Sequence, residues 1–113
     1  MSTIDQVTFE KLTHDAGADF VGELVAAYCD ETPQLIAQLQ QALAAHDVKT
    51  FRQAAHSIKS TSNTFGALEL GELAKELEML GRAGQLADAQ AEVDRLIDEY
   101  DRVQRTLKDL AHD

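Results

Sequence analysis

This sequence of 113 residues predicts an all-α fold, an antiparallel up-down four-helix bundle with a short N-terminal helix. Ala, Leu, Glu, Gln, Asp and Lys dominate, proline occurs once, and no run alternates β-branched with polar residues. Apolar residues recur instead at spacings of three, four and seven, which wind into helices with one buried stripe. The length suits one domain over 1–113, long enough to bury a sizeable core.

Residues Asp5 to Asp15 suit a short helix that ends near Gly17 and lies across the bundle as a lid, with Val7, Phe9 and Leu12 as its apolar contacts. From Ala18 the stripe Phe20, Val21, Leu24, Val25 and Tyr28 begins, and it resumes after Pro33 with Leu35, Ile36, Leu39, Ala42 and Leu43. Thr32-Pro33 reads either as an N-cap and the first residue of a new helix or as a kink within one long helix. Asp47 is the expected N-cap of the third helix and Gly66 its end. Between them Phe51, Ala54, Ala55, Ile58, Ser62 and Phe65 share one side.

The fourth helix, from about Leu68, carries Leu70, Leu73, Leu77 and Leu80. Beside them runs a row of mostly small residues, Gly71, Ala74, Glu78 and Gly81, which lets a neighbouring backbone come close. After the stop signal Gly81-Arg82-Ala83-Gly84, the last helix spaces Leu86, Val93, Tyr100 and Leu107 by seven and interleaves Ala89, Leu96, Val103 and Leu110. A homodimeric coiled coil is the other use of such a seam. The earlier stripes suffice to bury it within the chain, so a monomer is expected.

A formal charge of −10 and a pI near 4.6, with ten dispersed basic residues, argue against a nucleic-acid partner and against an anionic membrane. No apolar run approaches the roughly 20 residues of a spanning helix, and no secretory leader is evident, so the expected location is cytoplasmic. The lone Cys29 reads as a small buried or half-buried apolar residue.

On the third helix His56 falls nearly opposite the apolar side and therefore faces water. Arg52, Lys59, Ser60 and Asn63 lie within about 60° of it on the helical wheel. A cation beside a histidine opposes a metal ion or a proton, but it suits a histidine that acquires a doubly negative group such as phosphate. His14, His46 and His112 read as solvated. No Glu stands three residues before any histidine, as a di-iron bundle needs, and no Ser-His-acid arrangement or Gly-rich anion loop appears. No metal, no cofactor and no enzymatic site of its own are expected.

The stretch Ala55-His56-Ser57-Ile58-Lys59-Ser60, with Gly66, the spaced leucines, Leu77-Glu78 and Leu80-Gly81-Arg82, resembles the histidine-containing phosphotransfer (HPt) domain over most of the chain. Many members carry Gly where Ser60 stands, and a small residue is kept here. The resemblance implies a phosphorelay carrier. His56 would take a phosphoryl group from the aspartate of a response-regulator receiver domain and pass it to another receiver, with a hybrid histidine kinase as a further partner. Mg²⁺ and the main catalytic groups would belong to the receiver. Lys59 would neutralise the phosphoryl group, while Arg52, Ser60, Asn63, Gly66 and Arg82 would border the site and Phe9 and Leu12 would contribute to docking. The alternative is a helical interaction module of this fold that binds a receiver or kinase with no phosphate on His56.

If the third and fourth helices turn back near Gly66, His56 lies about 15 Å before the turn and Glu78 about 18 Å after it, at nearly the same level. The Glu78 carboxylate could then accept a hydrogen bond from His56 Nδ1–H and leave Nε2 unprotonated as the nucleophile, an arrangement the resemblance supports. A surface ion pair of Glu78 with Lys75 or Arg82 is the alternative.

Overall fold

The computed structural model describes residues 3–112, apart from the side chain of His112, so the expectation made for that histidine lies outside the described side chains. Helices occupy nearly all of it: α1 (Gln6–Ala16), α2 (Ala18–Ala45), α3 (Val48–Thr64), α4 (Leu68–Arg82), a 3₁₀ turn (Leu86–Asp88) and α5 (Gln90–His112). No strand occurs among the described residues. Each of α2 to α5 packs against two of the others, in the closed ring α2–α3, α3–α4, α4–α5 and α5–α2, and α3 with α4 is the most intimate pair. The long axis of the molecule is 42 Å. That is about the length of a 28-residue helix such as α2 at a rise of 1.5 Å per residue.

The four stripes meet in the middle. Leu39, Phe51, Ile58, Leu70, Leu77, Val93, Leu96, Val103 and Leu107 are wholly buried. At about 1.5–3 kcal/mol for each large apolar side chain, they supply most of the force that holds the ring closed. Leu73 and Leu80 pack at the edge of this core. Across it the Tyr28 hydroxyl shares a hydrogen bond of 2.7 Å with the buried Ser62 Oγ, which satisfies both groups and ties α2 to α3. Burial pushes the Tyr28 phenol up to about 12, so it stays neutral.

The long α2 passes through Pro33 without a break. Proline has no N–H, so the Cys29 carbonyl four residues earlier loses its helical donor. The Tyr100 hydroxyl of α5 donates to that carbonyl at 3.3 Å. Cys29 itself is half-buried.

Several expectations need correction. Helix α1 begins at Gln6 because the Asp5 side chain caps it, accepting from the Thr8 N–H at 3.1 Å and from the Thr8 hydroxyl at 2.6 Å. Val7 is 75 % exposed, since it lies about 200° around the helix from the buried Phe9. Phe20 is half exposed, at the rim of the α2 stripe and about 100° from the buried Val21. Leu86 belongs to the 3₁₀ turn and Ala89 follows it, so the last helix starts later than expected. The α5 seam ends at Leu107, because Leu110 is exposed.

Candidate functional site

The acidic cap Asp47 accepts from the Thr50 N–H at 3.2 Å and starts α3. Phe51, Ala54, Ala55, Ile58 and Ser62 then face inward, which turns His56 out with 60 % of its side chain exposed. The row Gly71, Ala74, Glu78 and Gly81 on α4 is buried. Its small members bring the two helices together, and Glu78, the one long side chain in it, reaches the histidine.

Glu78 is the centre of a four-residue cluster. Its Oε2 lies 3.2 Å from His56 Nδ1, its Oε1 accepts from Lys59 Nζ at 2.9 Å, and Arg82 donates to Oε2 at 3.4 Å. The Lys59 hydrogen bond holds the Glu78 carboxyl below its usual range against the opposing effect of burial, and the Lys59 charge and the His56 hydrogen bond act in the same direction. An ionised carboxylate only accepts, so Nδ1 carries the ring proton and Nε2, on the far side of the ring, keeps its lone pair.

The remaining candidates divide. Arg82 is in the cluster through Glu78, although its own side chain is 63 % exposed and the surrounding water screens its charge. Arg52 lines a groove shared with His56, Ser57 and Glu78. Ser60 lines a second groove on the α2 side of His56, together with Leu24, Tyr28 and Leu35. Lys59 is bonded to Glu78 and only 28 % exposed, so at rest it holds Glu78 rather than standing free beside the imidazole.

Asn63 lies over Gly71, two turns along α3 from His56, and a Cβ at Gly71 would collide with its side chain. Gly66 is buried under the N-terminal segment. Its φ of +86° is open to glycine, a Cβ there would come within 2.8 Å of the Asp5 carbonyl, and its own carbonyl accepts from the Asp5 N–H at 2.8 Å. It anchors α1 about 15 Å from His56, so it does not border the histidine. Phe9 is buried and Leu12 half-buried against the core, so Phe9 covers the bundle and is not presented for docking. Ser57, which borders His56 in both grooves, and the α2 residues of the second groove escaped the sequence reading. The one available signal was the position of Leu24, Tyr28 and Leu35 on the α2 stripe, and a stripe position does not tell core from rim.

An all-helical ring of this kind, with one exposed histidine oriented by a buried carboxylate, defines a domain built to offer an imidazole nitrogen to something outside it. Residues 23–106 match the Hpt domain, and the chain belongs to that family. Its role is histidine phosphotransfer in a phosphorelay. It is similar to the phosphorelay protein LuxU of Vibrio cholerae, with 25 % identity over 109 residues that cover 96 % of each chain. LuxU of Vibrio vulnificus is 26 % identical over 105 residues, covering 93 % of this chain and 91 % of the relative. Among solved structures, histidine-containing phosphotransfer protein B of Pseudomonas aeruginosa superposes with a TM-score of 0.92 at 27 % identity, covering 97 % of this chain and 95 % of that one. The HPT domain of a sensor hybrid histidine kinase from Shewanella shares the fold, with a TM-score of 0.76 at 20 % identity, covering 96 % and 92 %.

Proposed function

We propose that His56 is the phosphoryl acceptor, that it takes the group from the aspartate of a receiver domain, and that it passes the group to another receiver. The contact of His56 Nδ1 with Glu78 Oε2 at 3.2 Å carries this reading, because it directs an unprotonated Nε2 toward solvent. In the transfer, Nε2 forms the bond to phosphorus as the phosphorus–oxygen bond of the acyl phosphate breaks, and the electron pair stays on the departing aspartate. No proton has to leave Nε2. The imidazole becomes cationic, and the Glu78 carboxylate next to Nδ1–H stabilises that charge. Mg²⁺ and the groups that stabilise the transferring phosphoryl belong to the receiver in this scheme, and this chain supplies a positioned nucleophile without a cofactor of its own.

The receiver docks over His56 and the second groove, where Leu24 and Leu35 supply apolar surface beside Ser60 and the net acidic remainder of the chain stays in water. The chain acts as a single cytoplasmic domain and as a monomer, its four long helices forming an antiparallel up-down bundle with α1 laid across. The closed ring of helix contacts supports that arrangement. The test is incubation with a receiver carrying labelled aspartyl phosphate. Wild type acquires acid-labile label and His56→Gln acquires none; label that survives the substitution removes His56 as acceptor, and no label on either leaves a binding module.

A further inference from the structure

Arg82, Arg95, Arg102 and Arg105 each pair with a carboxylate, on Glu78, Glu92, Glu99 and Asp101 respectively. Arg52 is the one arginine of the chain with no carboxylate partner among the described residues, and its Nε is buried without a hydrogen-bond partner. Such a position is held by packing. A Cβ at Gly81 would lie 2.7 Å from Arg52 Cγ and 3.5 Å from its Cδ, so the absent side chain of Gly81 is the space in which the arginine stem crosses α4. Arg52 lines the groove that His56, Ser57 and Glu78 also line.

The other cations near the histidine are committed. Lys59 and Arg82 both bind Glu78. Lys49 also lines that groove, but it stands two helical turns before His56, about 10 Å along the axis. Arg52 stands one helical turn before His56 on the same face, where Cβ atoms of such a pair are about 5–6 Å apart. A phosphoryl group on Nε2 brings about two negative charges and three acceptor oxygens, and a guanidinium meets such a group with two parallel donors.

We propose that Arg52 is a binding residue for the phosphoryl group carried by His56, and that Gly81 is the residue that makes room for it. Arg52 donates to the phosphoryl oxygens once the group has arrived, while Lys59 continues to hold Glu78. This rests on the reading of His56 as the acceptor, and the test separates the two.

Phosphoramidate, a small phosphoryl donor, transfers its group to the imidazole without a receiver: the new nitrogen–phosphorus bond forms as the old one breaks, and ammonia leaves. The full chain is loaded in this way, the His56 signal is assigned as the one absent from His56→Gln, and that phosphohistidine is titrated by ³¹P NMR. A nearby guanidinium favours the dianion, so Arg52→Met, which keeps the apolar stem against Gly81, raises the second phosphoryl pKa by about 0.5 unit. Arg52→Gln gives the same rise, Arg52→Lys a smaller one, and 1 M salt removes most of the difference from wild type. Circular dichroism confirms that the variants are folded. Identical titrations of wild type, Arg52→Met and Arg52→Gln overturn the assignment of Arg52 while leaving His56 intact. Failure of wild type to form a phosphohistidine that His56→Gln lacks overturns the reading of His56, and the role of Arg52 with it.

Discussion

His56 and Glu78 belong to different helices, twenty-two residues apart in the chain, and meet with Nδ1 3.2 Å from Oε2. The contact exists because Gly71, Ala74 and Gly81 let α4 lie close along α3, and because Lys59 holds the other carboxylate oxygen at 2.9 Å. Removing the carboxylate leaves Nδ1 without its acceptor. Glu78→Ala therefore shifts the neutral ring toward the Nε2–H tautomer, measured by ¹⁵N chemical shifts, and slows phosphoryl acceptance about tenfold, the equivalent of one charged hydrogen bond. Unchanged ¹⁵N shifts and an unchanged rate would show that Glu78 does not orient the ring.

Tyr100 replaces the donor that Pro33 cannot supply to the Cys29 carbonyl. Tyr100→Phe is expected to cost about 1 kcal/mol in urea unfolding. The cost should shrink in a Pro33→Ala background, where the backbone N–H restored by the substitution takes over the carbonyl. Equal losses in both backgrounds would mean that the two sites are not coupled.

The four bundle helices were legible because each keeps most of its apolar residues on one stripe, and the Gly71-Ala74-Glu78-Gly81 row told which face of α4 approaches α3. What escaped depends on distance in space. Asn63 shares the helix of His56 and Gly66 its motif, but two turns of helix carry Asn63 to Gly71, and Gly66 packs under Asp5. Lys59 was placed correctly on the wheel. Its partner Glu78 lies on another helix, and spacing along one helix does not reveal which charge a flexible lysine finds. Phe9 and Val7 are two residues apart and both apolar, and only the packing of α1 decides that the first is buried and the second exposed.

Gly66 holds a positive φ against the Asp5 backbone. Gly66→Ala meets both the left-handed backbone and the 2.8 Å approach, so it should destabilise the domain by about 1–3 kcal/mol and loosen α1 first. Hydrogen exchange reads this directly: the amides of α1 should lose protection before those of α3. A variant as stable as wild type would show that the N-terminal segment is not anchored there.

Acid should destabilise the fold. Asp5 and Asp47, through their Thr8 and Thr50 hydrogen bonds, and Glu78, through Lys59, are held below the usual carboxylate range. Their contribution is fully present above the unfolded values, about 3.9–4.3, and is lost as pH falls through the lower folded ones. Glu76, raised by burial and then by Glu92, works in the opposite direction and offsets part of the loss. Urea midpoints should thus fall from about pH 5 to pH 3. Asp47→Asn, which still caps the helix, should flatten that dependence. A midpoint that rises with acidity would contradict this assignment of the three carboxylates.

The most direct measurement is the site of the phosphate on the ring. With imidazole-¹⁵N label and ³¹P coupling, the phosphorylated protein should show its nitrogen–phosphorus bond at Nε2 of His56, with Nδ1 still protonated toward Glu78. A phosphoryl group found on Nδ1, or on any residue other than His56, would contradict the account.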